Sequence, residues 1–370
     1  MKVLFLGSDV FAKGGIPRYA IYQIKALKEI YGNENVFVFS LADYDPENAF
    51  EDRMKTDYIQ GGISFFDKLS FTLKALSFIK KNKIDLVITD HIQLSIIAYF
   101  AKKLIKIKYI TNVYGIEVWT NVKKRDTIGL KNSDLIIGDC KFVLNYVKEH
   151  FDIQETKLKL LHDPVDIDRF KPIPKDEKLF FKYSIPKEKF VIITVGRLER
   201  NKGFELVIKT LSNLPDEIIY VIVGDGAMRD QVKNLVKSLS LETRVFFTLR
   251  VPEDDLVPLY NLCDVFVLVS SFGHGEGEGL PLGLIEASAC GKPIIGGNQD
   301  GSVDAIDEGK NGFIISPDDS EALYLRIYSL YKDDNLRKAM SEAGIAKVNT
   351  EFKFENFKET LTSLLKQFEY

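Results

Sequence analysis

The stretch Val191-Ile-Ile-Thr-Val-Gly-Arg-Leu-Glu-Arg-Asn-Lys-Gly203 decides the fold of the second half of the chain. Its first five residues form an apolar, β-branched run, which is typical of a strand buried on both faces of a sheet. A polar loop follows, and an amphipathic helical pattern begins after Gly203. A buried strand that leads through a loop into a helix is the repeating unit of a parallel α/β sheet.

The same unit recurs along the whole chain, with amphipathic segments between short apolar runs. The further runs are Val3–Leu6, Val36–Ser40, Leu86–Thr89, Tyr109–Asn112 and Leu135–Gly138 in the first half, and Tyr220–Val223, Val245–Thr248, Val265–Val269, Pro293–Gly296 and Gly312–Ile315 in the second. Each half therefore predicts a doubly wound α/β domain with a parallel sheet. The segment 162–178 carries three prolines and many charges, so we predict a linker at 166–178 between a domain at 1–165 and a domain at 179–350.

Composition favours a soluble globular protein, with 45% hydrophobic and 28% charged residues in 370 and a net charge of −3. Residues 66–131 depart from this balance with a net charge of +8, which indicates an anionic partner. The three cysteines are far apart, without disulfide or zinc spacing, and fit a reducing cytosol. No apolar run approaches the roughly 18 residues of a membrane span, and the N-terminal run is too short for a secretion signal.

Two loops that follow strands carry groups suited to an anion. Gly14-Gly15 follows the first strand and precedes a helical pattern, so backbone N–H groups can approach a ligand there, although a plain tight turn explains the pair equally well. Arg197 and Lys202 follow the strand of the opening stretch. Arginine offers a planar fork and lysine a mobile charge, and together they suit a diphosphate; the alternative is a solvated charged loop.

A third candidate is the stretch Glu276-Gly-Glu-Gly-Leu-Pro-Leu-Gly-Leu-Ile-Glu286. Pro281 suits the first turn of a helix, and Gly291 followed by Pro293 is a usual way to end one. Glu278 then lies in the loop before the helix and Glu286 within it, near N–H groups of Gly279, Leu280 and Leu282. Carboxylates bind paired hydroxyls well, which predicts sugar or ribose partners. The alternative, two exposed acids, fits Glu286 poorly because its neighbours are apolar.

These motifs resemble the retaining glycosyltransferase family 4, of the GT-B fold. The resemblance rests on Gly-Arg-x4-Lys-Gly with Arg197 and Lys202, the Glu278-x7-Glu286 spacing, the Gly14-Gly15 turn and Glu-Ala-x-Ala-Cys-Gly-Lys-Pro, and it runs over nearly the full chain. It implies two Rossmann-like domains facing across a cleft, with the donor held mainly by the C-terminal domain and the acceptor by the N-terminal one. It also implies that a last helix, about residues 351–370, packs back on the first domain.

The resemblance assigns a role to each motif residue. Glu286 would hold the ribose hydroxyls, and Arg197 and Lys202 would bind the diphosphate and stabilise it as leaving group, with Gly15 N–H on the same diphosphate. Glu278 and the N–H groups of Gly279 and Leu280 would hold the transferred sugar, and Leu282 N–H would reach a phosphate. The family's chemistry is front-face transfer with retention, in which the leaving phosphate helps to deprotonate the acceptor.

The chain departs from the family pattern at several positions. Tyr114 stands where many relatives carry a histidine near the donor sugar, whereas His91 resembles a common family histidine and is a candidate for catalysis or for a structural role. Pro281 replaces a frequent glycine, and Asp300-Gly-Ser-Val-Asp304 replaces a common Pro-Glu-Val loop. The roles of His274 and Glu276 are left open by the sequence.

We expect no metal and no other cofactor. Asp43-Tyr-Asp45 and Asp166-Ile-Asp168 match the Asp-x-Asp pattern of metal-dependent glycosyltransferases. Neither lies among the donor-binding motifs, and Arg197 with Lys202 already supplies positive charge.

The basic region predicts a peripheral contact with an anionic membrane. Segments 71–83 and 100–108 place apolar residues at helical spacing beside lysines, although a core-packed helix with a solvated lysine face has the same pattern. Many members of the resembled family act on lipid-linked acceptors at the cytoplasmic face. The sequence thus favours a cytoplasmic, membrane-peripheral hexosyltransferase that uses a UDP-sugar in glycan, glycolipid or polysaccharide synthesis, with no role in nucleic-acid binding. The alternatives are a nucleotide-sugar epimerase and a non-catalytic glycan- or partner-binding module.

Overall fold

A computed structural model describes residues 1–12, 14–43, 56–273 and 276–369. The chain divides into two compact units: Met1–Pro164 with Phe354–Tyr370, and Val165–Lys353. Both are α/β units built on a parallel sheet, as the apolar runs predict. The predicted fold class is therefore confirmed.

The first unit is organised by a sheet of seven described strands, in the order β3-β2-β1-β4-β5-β6-β7, with every adjacent pair parallel. The strands are β1 Val3–Gly7, β2 Val36–Ser40, β3 Tyr58–Ile59, β4 Leu86–Thr89, β5 Lys108–Val113, β6 Leu135–Gly138 and β7 Leu158–Leu160. The helices of this unit are α1 Gly15–Tyr31, α2 Phe65–Asn82, α3 Ser95–Ile105, α4 Ile116–Trp119, α5 Lys124–Lys131, α6 Lys141–Phe151 and, at the end of the chain, α15 Phe354–Leu365.

The second unit is organised by a sheet of six described strands, in the order β10-β9-β8-β11-β12-β13, again parallel throughout. The strands are β8 Phe190–Val195, β9 Ile218–Val223, β10 Val245–Leu249, β11 Val265–Leu268, β12 Ile294–Gly297 and β13 Gly312–Ile315. The helices are α7 Glu177–Lys182, α8 Phe204–Leu211, α9 Arg229–Ser238, α10 Glu253–Leu262, α11 Leu282–Ala289, α12 Ser302–Ala305, α13 Ser320–Lys332 and α14 Asp334–Lys347.

The central strands form the cores of the two units. All five residues of β1 and all six of β9 are buried, because helices cover both faces of a parallel sheet. In each sheet the strand order reverses at one place, between β1 and β4 and between β8 and β11. Ligands of open α/β sheets bind at such reversals, beyond the carboxyl ends of the strands. The loops after β8 and β11 are therefore where a site is expected in the second unit.

The last helix packs on the first unit, as the resemblance implies. Phe357 and Leu361 of α15 are buried in the same core as Tyr19 of α1, with the Tyr19 and Phe357 rings 5.4 Å apart. Lys358 also pairs with Glu29 of α1 at 2.7 Å. The helix begins at Phe354, a little later than the predicted residue 351.

The chain differs from the predicted organisation in two places. The edge strands β3 and β7 were not among the predicted runs, because they are short and half-buried rather than continuously apolar. The predicted linker, residues 166–178, lies within the second unit and packs against it. Arg169 pairs with Glu253 at 2.6 Å, and Lys175 pairs with Asp264 at 3.1 Å. Among the described helices, none combines the length and apolar character needed to cross a bilayer.

Candidate active site

The loop from β8 to α8 is fixed against the end of β11. Gly203 adopts φ 74°, and a Cβ at this position would lie 2.2 Å from the Val269 carbonyl oxygen, so only glycine fits. The Asn201 carbonyl accepts a hydrogen bond from the Ser271 N–H at 2.8 Å. These contacts hold Lys202, which lies between Asn201 and Gly203, at the reversal of the sheet.

The central feature of the site is a contact between Lys202 and Glu278. Lys202 Nζ lies 2.5 Å from Glu278 Oε1, and the two side chains are 11% and 21% exposed. The two residues come from different loops, one after β8 and the other before α11, so the sheet topology brings them together. A largely buried pair of opposite charges that still reaches the surface can receive both an anion and hydroxyl groups.

Arg197 lies in the same loop as Lys202 but is far more exposed. Its side chain is 78% exposed and pairs with Glu199 at 2.9 Å. Exposed ion pairs of this kind contribute little to stability, so Arg197 can exchange Glu199 for a ligand at small cost.

Glu286 is held inside helix α11. The residue is 7% exposed, and its Oε2 accepts a hydrogen bond from the hydroxyl of the fully buried Tyr260 at 2.7 Å. A buried carboxylate needs such donors to offset the loss of hydration. The apolar neighbours of Glu286 predict this burial, but nothing in the sequence identifies Tyr260 as its partner.

Helix α11 begins and ends close to the predicted positions. Pro281 occupies the N-cap and Leu282 is the first helical residue, whereas the sequence placed Pro281 within the first turn. Gly291, with φ 71°, follows the end of the helix. Just before the helix, the Gly279 carbonyl accepts a hydrogen bond from Gly301 N–H at 2.9 Å, and Leu280 is buried.

Two family models match the chain, one in its first half and one in its second half. The model of Glycosyltransferase Family 4 matches residues 13–169, and the model of Glycosyl transferases group 1 matches residues 175–347, which include Arg197, Lys202, Glu278 and Glu286. The two matches together support a group 1, family 4-like glycosyltransferase.

Individual sequence relatives agree with these matches, and a solved structure shares the fold. An uncharacterized glycosyltransferase of Methanocaldococcus jannaschii is 28% identical over 250 residues, 66% of this chain and 61% of that protein. The GDP-mannose-dependent alpha-(1-6)-phosphatidylinositol monomannoside mannosyltransferase of Mycolicibacterium smegmatis is 29% identical over 213 residues, 55% of each chain. The crystal structure of Anabaena HepE in complex with UDP has a TM-score of 0.83 at 19% identity, over 99% of this chain and 100% of that one. The chain thus spans less than two thirds of these two sequence relatives.

The glycosyltransferase carries its remaining predicted donor residues in the first unit. Gly14 and Gly15 are exposed at the N-terminal end of α1, with Gly14 as the N-cap residue. Among the residues that the structure describes, no side chain caps this helix end, so solvent or a ligand can satisfy its N–H groups.

Two first-unit residues that the sequence singled out have local contacts. His91 Nδ1 accepts a hydrogen bond from Gln93 N–H at 3.2 Å and thereby caps the short 3₁₀ turn after β4. Tyr114, in place of the family histidine, is buried against Tyr19, with ring centroids 5.1 Å apart. Burial raises the pKa of Tyr114 well above its ordinary value, so its hydroxyl stays protonated.

The Asp-x-Asp pairs have structural roles where they are described. Asp166 Oδ1 accepts hydrogen bonds from the N–H groups of Asp168 and Arg169, which is a local turn. Asp43 accepts from Phe11 N–H at 3.2 Å, and Asp45 lies outside the described residues. Within the described ranges, no three His, Cys, Asp or Glu side chains are grouped to hold a metal ion.

The segment before Glu278 is described only in part. Glu276 is exposed and exchanges backbone hydrogen bonds with Gly273 at 2.9 and 3.0 Å. His274 lies outside the described residues.

Proposed function

We propose that the chain is a retaining, metal-independent hexosyltransferase that moves a sugar from a UDP-sugar to an acceptor hydroxyl in glycan, glycolipid or polysaccharide synthesis. The observation that carries this proposal is the contact between Lys202 and Glu278 at the reversal of the second sheet. It joins a cation suited to a phosphate with a carboxylate suited to sugar hydroxyls, within 2.5 Å of each other.

Lys202 and Arg197 would neutralise the diphosphate of the donor. The departing diphosphate gains negative charge as the bond to the sugar breaks, and a cation already in place stabilises that charge without reorganisation. The low exposure of Lys202 strengthens this effect, because water screens it less. Arg197, which is exposed and held by Glu199, would turn to the phosphate when the donor binds.

The two glutamates would divide the hydroxyl groups of the donor. Glu278 would accept hydrogen bonds from the transferred sugar, together with N–H groups at the start of α11. Glu286, oriented by Tyr260, would accept from the ribose hydroxyls. This division would place the sugar next to Lys202 and the ribose beside the buried face of α11.

The transfer step needs no separate base from the protein. The acceptor oxygen attacks C1 of the sugar from the face that the diphosphate leaves, and the bond between C1 and the phosphate oxygen breaks. The bonding electrons remain on the diphosphate, and the acceptor proton passes to a phosphate oxygen. The products are a glycoside of unchanged anomeric configuration and UDP.

UDP is proposed as the nucleotide because HepE, which shares this fold, is described in complex with UDP. The mycobacterial relative is named for GDP-mannose, so guanine is the main competing base. The test is a thermal-shift screen of the purified protein with UDP, GDP, ADP and their common sugars, each with Mg²⁺ and with EDTA.

We expect UDP and UDP-sugars to raise the melting temperature equally in Mg²⁺ and in EDTA. The rise should disappear in Glu286→Gln and persist in Glu321→Gln, an exposed glutamate of α13. A rise with GDP alone would change the base, and a rise that requires Mg²⁺ would contradict metal independence. Absence of any rise would favour a glycan- or partner-binding module, and a changed sugar in recovered donor would identify an epimerase.

We also propose that the acceptor side of the enzyme contacts an anionic membrane. The exposed apolar row, which we define as Phe65, Phe66, Leu69 and Leu73 of α2, is 75%, 77%, 46% and 59% exposed. Phe71, Ala75 and Ile79 of the same helix are buried in the core. Helix α2 therefore has two apolar faces, and only one of them is used for folding.

Lysines accompany the exposed apolar row and indicate what covers it. Three lysines of α2 are exposed: Lys74, Lys80 and Lys81. On the adjacent helix α3, Leu104 and Lys103 are also exposed and again place an apolar side chain beside a lysine. Apolar side chains flanked by lysines complement a bilayer with anionic headgroups, since each lysine near such a surface contributes about 1 kcal/mol.

Sedimentation with phosphatidylcholine vesicles, with and without phosphatidylglycerol, tests the membrane contact. We expect binding only to the anionic vesicles, and a loss of more than about tenfold in a Phe65→Ser/Phe66→Ser variant. The matched control is Phe181→Ser on α7 of the second unit, which is 91% exposed. Equal losses in both variants, or dimerisation through the exposed apolar row, would contradict the membrane contact.

A further inference from the structure

The turn at Asp300–Ser302, after β12, contains a fully buried carboxyl group. Asp300 is 0% exposed, and its Oδ1 accepts a hydrogen bond from Ser302 N–H at 2.8 Å. Its other oxygen, Oδ2, is buried and lacks a hydrogen-bond partner within the part of the chain that the structure describes. A buried acid of this kind is costly, so its presence requires a physical reason.

The turn holds the backbone next to Glu278. Gly301 N–H donates to the Gly279 carbonyl at 2.9 Å, and Gly279 is the residue directly after Glu278. A Cβ on Gly301 would lie 2.4 Å from the same carbonyl oxygen, so a side chain there would push the two segments apart. The position of the Glu278 backbone thus depends on the turn that Asp300 shapes.

Charge also links Asp300 to the Lys202–Glu278 contact. The pKa of Asp300 is raised to about 7, chiefly by burial and in smaller part by the negative charge of Glu278, while hydrogen bonds from Ser302 and the charge of Lys202 oppose the rise. Glu278 and Lys202 are therefore the charged groups that act on Asp300. Near neutral pH, a proton on Asp300 removes its repulsion of Glu278.

We propose that Asp300 is a positioning residue that keeps the Glu278 carboxylate on Lys202, in place for the donor sugar. Through Gly301 it fixes the segment 278–280, and in its neutral form it leaves Glu278 with Lys202 as its principal charged partner. The proposal rests on the proposed function, which assigns Glu278 to the sugar. Asp300 is fully buried and is assigned no contact with sugar or nucleotide, so nucleotide binding should not depend on it.

The test compares Asp300→Asn, Asp300→Ala and Gly301→Ala by transfer kinetics with the donor found in the screen and by inhibition with free UDP. We expect the inhibition constant of UDP to stay within about threefold of wild type in all three. The kcat should fall more than about tenfold in Asp300→Ala and Gly301→Ala and should stay within about threefold in Asp300→Asn, because the amide keeps the shape of a neutral acid. These magnitudes follow from the loss of a positioned group.

The pH profile separates positioning from a merely structural role. The ratio of the wild-type kcat to the Asp300→Asn kcat should fall as the pH rises from 6 to 8, because Asp300 ionises over that range. A ratio independent of pH, or equal losses in Asp300→Asn and Asp300→Ala, would overturn the proposal.

A ligand-free measurement keeps the proposal testable if the protein transfers no sugar, a result that would contradict the proposed function alone. The change in urea midpoint caused by Glu278→Gln in the wild-type background should be more favourable at pH 8 than at pH 6. The reason is that Asp300 is ionised at pH 8 and then repels the Glu278 carboxylate that the substitution removes. In the Asp300→Asn background the shift should be the same at both values. A wild-type shift that does not change with pH would contradict the coupling between Asp300 and Glu278.

Discussion

The carboxyl ends of the two sheets carry acids in different ways. In the first unit, buried Asp90, Asp43 and Glu117 accept hydrogen bonds from backbone N–H groups of Ser8, Phe11 and Tyr114. In the second unit, Glu278 meets the side chain of Lys202, and Glu286 meets that of Tyr260. Acids satisfied by the backbone fix loops, whereas acids that meet side chains from other elements can exchange partners with a ligand. We therefore interpret the first set as structural and propose the second set as the site.

The largest effect is expected from Lys202→Ala. Loss of the cation removes stabilisation of the departing diphosphate and leaves Glu278 without its partner, so kcat should fall by about 10²–10³-fold. The measurement is steady-state transfer with the donor found in the screen. Lys237→Ala, an exposed lysine of α9, is the matched control and should retain full activity. Comparable rates in the two variants would remove Lys202 from the site.

A smaller effect should follow from Glu286→Gln and Tyr260→Phe. A hydrogen bond to a charged group contributes about 1.5–3 kcal/mol, so Glu286→Gln should weaken UDP binding by roughly 10–100-fold. Tyr260→Phe removes only the orienting contact and should weaken it by about 3–10-fold. Isothermal titration gives both values. A larger loss in Tyr260→Phe than in Glu286→Gln would indicate that Glu286 supports the helix rather than the ribose.

Asp90→Asn tests whether the buried acids of the first unit are structural, through the free energy of unfolding. Burial raises the pKa of Asp90 well above its ordinary value, so the folded protein binds a proton more tightly than the unfolded chain. The stability that this proton confers is present below the unfolded pKa of about 4 and is lost as the pH rises through the folded pKa. The variant lacks this loss. The difference between its free energy of unfolding and that of wild type should therefore become more favourable to the variant as the pH rises from 5 to 8.

Fluorescence of Trp119 can follow this change selectively, because it is the protein's single tryptophan and lies in the first unit. Urea titrations at each pH give the two free energies. Transfer activity of Asp90→Asn should remain within about threefold of wild type. A tenfold loss of activity with unchanged stability would mean that the first unit's acids also serve the reaction.

The smallest effect is expected from His91→Asn. His91 caps a 3₁₀ turn through Nδ1, and asparagine can accept the same hydrogen bond from Gln93. Activity should therefore stay within about threefold of wild type in the transfer assay. A loss of a hundredfold would instead give His91 the catalytic role that its likeness to a family histidine suggests.

The sequence predicts the fold well because the strands are buried on both faces. Val36–Ser40, Leu86–Thr89, Leu135–Gly138 and Gly312–Ile315 begin and end where the apolar runs do. The edge strands β3 and β7 are missed by this reasoning, because both are short and only half-buried. The segment 166–178 was predicted as a linker from its prolines and charges. Its packing on the second unit was missed because contacts such as Arg169 with Glu253 join residues far apart in the chain.

The site residues also fall into a part that the sequence predicts and a part that it does not. Lys202, Glu278 and Glu286 follow from motif spacing, but their contacts do not. Tyr260 lies 26 residues before Glu286 on another helix. Asp300 lies in a turn that the sequence marks only as a departure from the family's Pro-Glu-Val loop, without indicating its burial or its contacts. The contacts of these residues depend on which loops the order of the strands brings together. No single sequence motif specifies that order.

The most direct test of the central claim is a proton NMR time course of sugar transfer in the presence of EDTA, with the donor identified in the screen and a simple alkyl glycoside as acceptor. We expect consumption of an α-linked donor, release of the nucleoside diphosphate and an α-linked product, with the reaction about 10²–10³-fold slower in Lys202→Ala. A β-linked product, or a reaction that starts only when a divalent metal is added, would contradict the central claim.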